Sequence, residues 1–212
     1  MFNLFRQDEK DGEFKQINIV EKSQIIDNSA FEAMYFGADN HYFNLAVKCI
    51  NKDIYLKALD FANIKRRLSI AEDILASTAI LGVSKKIALL DSALYYYCYN
   101  ADSATRIIEP SKIKERIENL RFVASKFEEF ASKRDERYGV FVLCLSKILY
   151  YTVMRRKIQP FIDEYEKRLK KGYPKWLARF ILSLQRRKFG ARKQEHDLRN
   201  FIQANKSVFD KN

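Results

Sequence analysis

Eleven lysines and arginines, with no aspartate or glutamate among them, fall in the 28 residues from Lys167 to Gln194. Cations at this density repel one another unless external anions neutralise them. A line of positive charge suits phosphates, because each contact releases condensed counterions. Pro174 reads as the first residue of a helix. At about 100° per residue, Lys175, Arg179 and Arg186 lie within about 40° of one another on that helix, opposite Leu177, Phe180, Ile181 and Leu184. The apolar face is expected to dock and the basic face to be displayed. Trp176, at the border of the two faces, and Tyr173 just before it are placed to stack on an unpaired base. The candidate nucleic-acid-binding residues are Lys167, Lys171, Lys175, Trp176, Arg179, Arg186, Arg187, Lys188, Arg192 and Lys193.

Other residues capable of chemistry are sparse. There are two histidines, His41 and His196, and the sequence holds no H-E-x-x-H, G-x-x-x-x-G-K-[ST], G-x-S-x-G or G-x-G-x-x-G motif. Arg192 and His196 on one helix resemble the Arg–His pair of the HEPN family of all-α ribonucleases. Three residues separate them here, where that motif has four to six. A divergent helical nuclease centred on His196 is therefore only a third reading, and Glu195, His196 and Asp197 read as a solvated face. Glu128 with Glu129, and Glu72 with Asp73, are adjacent pairs that point in different directions. Cys49, Cys98 and Cys144 are far apart, lack a C-x-x-C pair and sit in apolar stretches, so they read as small buried hydrophobes in a reducing compartment. No metal ligand set and no cofactor is expected.

The segment Ile74–Leu94 contains LGVS between two apolar runs and resembles the turn of a DNA-binding helix-turn-helix. It departs from that motif at Asp91, where an apolar residue belongs, and its second helix is too apolar to face a groove. An ordinary helix–helix corner is the expectation.

The elements that must carry these residues follow from pattern and punctuation. Six glycines and three prolines in 212 residues leave few tight turns. With 47% apolar and 31% charged residues, the chain can build a core. Residues 1–27 read as a polar arm in which Phe14, Ile17, Ile19 and Val20 can dock as a short strand. Beyond them, caps and helical spacing recur: Asn40 before Phe43, Val47 and Ile50; Asp53 before Leu56, Leu59 and Ile64; and a Ser69–Glu72 capping box before a helix stopped by Gly82. Ser84 is read as the cap of KKIALLDSALYYYCY. Ser111 starts an amphipathic helix to about Arg137, and Val140–Arg155 forms a second apolar helix beyond Gly139. Pro160 and Pro174 are read as helix starts. The tyrosine-rich and valine-rich runs also have strand propensity, but their capped surroundings favour helix.

The fold predicted is therefore all-α: a compact bundle of about eight to ten helices. Two central helices, near 84–99 and 140–155, are buried, with Leu94, Tyr97, Leu145 and Leu149 in the core. The division is an arm over 1–27, a helical core over 28–157 and a basic helical region over 158–212, in one domain. Residues 151–212 hold 17 Lys/Arg against 6 Asp/Glu, and residues 1–150 hold 22 against 21, so +11 of the net +12 lies in the last 62 residues. The N-terminus meets charge within six residues, unlike a secretory signal. The longest apolar run, about 15 residues with Lys147 inside it, is too short to span a bilayer. A cytoplasmic, non-catalytic protein that contacts the backbone of DNA or RNA is expected. The alternative is an adaptor that holds an acidic protein partner.

Overall fold

The computed structural model describes residues 1–9, 11–28, 30–32, 43–100, 110–170 and 191–209, with side chains over 114–153 and 196–205 in the last two stretches. Its first half is built on a sheet, not a bundle. Strands β1 (Phe2–Gln7), β2 (Phe14–Ile17), β3 (Gln24–Asp27) and β4 (Lys86–Tyr97) form a curled, mixed, four-stranded half-barrel in the order β2-β1-β4-β3. Helices α1 (Lys52–Ala62) and α2 (Glu72–Val83) lie between β3 and β4 in sequence. Helices α3 (Pro110–Phe130), α4 (Glu136–Lys170) and α5 (Ala191–Phe209) follow.

The all-α expectation is thereby overturned, and β4 is the reason. Ser84 ends α2, its N–H donating to Ile80 O at 2.9 Å, and caps no following helix. The run KIALLDSALYYY leaves as an extended strand. A sequence apolar at nearly every position fits both a buried helix and a strand, and partners distant in sequence decide between them. Those partners come from the segment read as an arm. β1 pairs with β4 in parallel and β3 pairs with Lys86–Leu89 antiparallel. The helix–helix corner expected at LGVS is a helix-to-strand junction.

Asn3 pins this sheet. The β1–β4 ladder shifts register between Phe2 and Leu4, where regular backbone pairing fails. The buried Asn3 amide takes over: its Nδ2 donates to Val20 O at 2.9 Å and Asp91 O at 2.7 Å, and its Oδ1 accepts from Ile19 N and Val20 N at 2.7 Å each. One side chain thus ties β1, the segment between β2 and β3, and β4 together.

Packing of the helices supplies the core. α3 and α4 pack as a hairpin and bury Phe127, Phe130, Tyr138 and Phe141 together with Leu75 of α2. The Tyr138 hydroxyl donates to Thr78 O at 3.0 Å, satisfying its polar end inside the core. Gly82 is read in the sequence as a helix stop, yet it lies within α2. A Cβ there would stand 2.7 Å from the Tyr138 hydroxyl and 3.0 Å from the Phe61 ring, so close helix approach is what the glycine allows. Ser69 does not form the expected capping box; its hydroxyl donates to Glu115 Oε1 at 2.6 Å. α1 is capped by Asn51, whose Oδ1 accepts from Asp53 N at 2.8 Å, and it buries Ala58 and Ala62 while Leu56 and Leu59 are exposed. α4 runs through Pro160, which is therefore not a helix start.

The four residues expected in the core divide. Leu145 and Leu149 are buried at 3% and 6% exposure, whereas Leu94 is 58% exposed and Tyr97 40%. Leu94→Ala should accordingly change stability by less than about 0.5 kcal/mol, read as an unmoved urea midpoint. A loss of about 2 kcal/mol or more would show that Leu94 is covered in solution.

Candidate functional site

A cavity of about 300 Å³ opens where the start of the sheet meets α1 and α2. Phe31, Ser77, Leu81 and Ser84 are its buried lining residues, and Cys49, Asn51, Lys86 and Leu90 are exposed lining residues. Apolar walls come from Ile54 of α1, Ile80 of α2 and Ile87 of β4. These fall on three elements because α2 runs directly into β4, while Asn51 fixes the start of α1. Two of the polar groups are already engaged: Ser77 Oγ donates to Phe43 O at 2.7 Å and Ser84 Oγ to Ile80 O at 2.6 Å.

Lys48 and Lys86 also line this cavity, and among the described residues no aspartate or glutamate does. Lys48 follows the 3-10 turn Leu45–Val47, and its ammonium donates to Asn44 O at 2.7 Å. Burial pushes the Lys48 amine down to about 8, and the negative charge of Asp73 only partly offsets that effect. Asp73 itself is raised, first by its own burial and next by Glu72, and accepts a hydrogen bond from the Leu45 backbone. The result is a half-buried cation beside apolar walls, an arrangement suited to an anionic group on a hydrophobic body.

A second group of ionisable residues lies inside the fold. Glu32 is 0% exposed, and among the described residues neither carboxylate oxygen has a hydrogen-bond partner. Arg134 Nη1 and Arg137 Nε each stand 3.8 Å from one of its oxygens, within ion-pair range but beyond hydrogen-bonding distance. Burial pushes the Glu32 carboxyl up to about 7, with Arg134 opposing. This cluster joins the helical residues that follow β3 to the start of α4.

The residues singled out in the sequence for nucleic acid fall largely elsewhere. Lys171, Lys175, Trp176, Arg179, Arg186, Arg187 and Lys188 lie outside the described residues. Lys167 belongs to α4 and Arg192 and Lys193 to the first turn of α5, with their side chains outside the description. α5 is held against α4, where Lys147 Nζ sits 4.8 Å from the Phe201 ring centroid. His196 is exposed, its Nε2 2.9 Å from Asn200 Nδ2, and His41 lies outside the described residues. Of the cysteines, only Cys144 is buried, with its thiol pushed up to about 12 by burial; Cys49 and Cys98 are exposed, contrary to expectation. Among the described residues no cluster of three or more His, Cys, Asp or Glu could hold a metal, and no helix is long and apolar enough to cross a membrane.

Lys48 and Glu32 escaped the sequence reading because each is a single charge in an ordinary stretch. The signal available for Lys48 was a lone cation between Val47 and Ile50 in a segment otherwise patterned for burial. No protein family, curated protein or solved structure matches the chain.

Proposed function

We propose that the protein binds nucleic acid without catalysing a reaction, through its basic C-terminal stretch. The observation that carries this reading is the run of 11 cations without an acid from Lys167 to Gln194. The contrast with the rest of the chain supports it. In the described core, charges are neutralised locally: Glu129 pairs with both Lys126 and Lys133 at 2.7 Å, and Arg134 with Asp135 at 2.8 Å. Residues 167–194 contain no such acids of their own. Phosphates meet that need with little demand on geometry, and the excess charge speeds encounter with a polyanion. Exposed free thiols at Cys49 and Cys98 fit a reducing, intracellular setting.

The test is salt dependence. Replacing Lys175, Arg179 and Arg186 together by glutamine is expected to weaken binding to every sequence offered. It should also flatten the slope of log affinity against log salt by about 2 to 3, since each phosphate contact contributes about 0.9 on duplex DNA and about 0.7 on single strands. Fluorescence anisotropy between low and physiological salt measures both. An unchanged slope in the triple variant removes these residues from the site. A parent protein that binds neither duplex nor single strand at low salt ends the reading and favours the alternative, an adaptor that grips an acidic protein surface with the same cations.

A further inference from the structure

We infer that the cavity between α1, α2 and the start of β4 is a binding site for a small aliphatic monocarboxylate, its carboxylate held by Lys48 and Lys86 and its tail by Ile54, Ile80, Leu81 and Ile87. The inference is independent of the nucleic-acid reading and involves a different part of the molecule.

Size comes first. A cavity of about 300 Å³ lies at the lower end of ligand pockets, about 300–1,000 Å³. At about 30 Å³ for each water-sized unit, it has room for roughly ten non-hydrogen atoms. A nucleotide or a long lipid would extend beyond it, whereas a chain of about eight carbons with one small head group fits inside.

Charge sets the head group. Among the described residues the wall holds two lysines and Met1, which carries the N-terminal ammonium, and no carboxylate, so its field is positive around Lys48, the less exposed of the two lysines. Burial disfavours the Lys48 charge and Asp73 offsets that only in part, so an incoming anion adds favourable charge pairing to the contacts Lys48 already makes. A cationic ligand meets repulsion, and a neutral hydroxyl gains only a weaker hydrogen bond from a lysine than a carboxylate does. Each serine hydroxyl already gives its single proton to a backbone carbonyl, whereas a lysine ammonium carries three, of which Lys48 gives one to Asn44 O. A carboxylate can take bonds from both.

The tail follows from the walls. Ile54, Ile80 and Ile87 are half-buried around the cavity and Leu81 is buried. They come from two helices and a strand, so an aliphatic chain between them has apolar contacts on several sides.

Three probes of equal length decide the matter: octanoate, 1-octanol and octylamine, titrated into the full chain by calorimetry below their aggregation limits. Octanoate is expected to bind at least about tenfold more tightly than octanol, because a charge-assisted hydrogen bond favours the carboxylate, and octylamine should bind more weakly than either. Lys48→Met keeps the aliphatic stem and removes the charge. It should erase the preference for octanoate while leaving octanol binding and the melting temperature in place. The proposal fails if octanoate gives no heat up to about 5 mM, if the alcohol binds as well as the carboxylate, or if a folded Lys48→Met protein keeps the preference. Should that variant not fold, the ranking of the three probes on the parent protein decides alone. Loss of nucleic-acid binding in the Lys175, Arg179 and Arg186 variant with octanoate affinity unchanged would show that the two sites are separate.

Discussion

Asn3→Ala is expected to destabilise the protein by roughly 4 kcal/mol, about 1 kcal/mol for each of the four hydrogen bonds its amide makes. Truncation leaves the N–H groups of Ile19 and Val20 and the carbonyls of Val20 and Asp91 without that partner at a buried register shift. Asn3→Asp separates the donors from the acceptors. It keeps an oxygen for Ile19 N and Val20 N but sets a second oxygen against two carbonyls, so it should be at least as damaging as alanine at neutral pH. Urea unfolding followed by circular dichroism measures both, with the midpoint shifted and the slope unchanged. A shift equivalent to less than about 1 kcal/mol for alanine would show that the sheet is held without Asn3.

The buried Glu32 should give stability an unusual dependence on pH. Its carboxyl is raised from 4.5 to about 7 in the folded protein, chiefly by burial. Between those values the folded state binds more protons than the unfolded one, so this residue makes the protein less stable as pH rises from about 4.5 to about 7 and adds nothing further above that. The gap corresponds to about 3 kcal/mol at its limit. Glu129 and Asp135, whose carboxyls are held below their ordinary values in the fold, act in the opposite sense at acid pH. The measurement is therefore the stability of Glu32→Gln minus that of the parent at each pH. That difference should grow in favour of glutamine by roughly 2 kcal/mol between pH 5 and pH 7.5. A constant difference would mean that Arg134 and Arg137 keep Glu32 ionised throughout.

Helical spacing made the second half of the fold legible in the sequence. The amphipathic stripe through Ile117, Leu120, Ala124 and Phe127 is a helix in α3, and the apolar run with Leu145 and Leu149 is buried in α4. Local pattern misled where structure depends on distant partners. Between residues 84 and 99 the tyrosine-rich run carries strand propensity, but local pattern could not choose strand over helix, because β1 and β3, which make it one, lie some sixty to ninety residues earlier. The same strand shows that apolar character is not burial: Leu94 and Tyr96 are apolar and aromatic, yet they are 58% and 60% exposed. The Lys48 cavity was hidden for a related reason. Its walls come from five separate stretches of chain, so no spacing rule could assemble them. The basic run from Lys167 was visible at once, since charge density needs no fold to be counted.

The pairing of β1 with β4 also sets a clock on folding. Asn3 meets Asp91 across 88 residues, whereas β1 reaches β2 through a short turn. Closing the longer loop costs about 2 kcal/mol more in chain entropy, at about 0.6 kcal/mol for each doubling of length. At synthesis rates of about 5–20 residues per second, β1 waits roughly 5 to 20 s for β4 to be made. For that interval the β1–β2 hairpin presents an unsatisfied edge, and α1 and α2 can form beforehand from local contacts. The strand made first is completed only after two helices have followed it, so the slow step of refolding should be the closure of the sheet around Asn3.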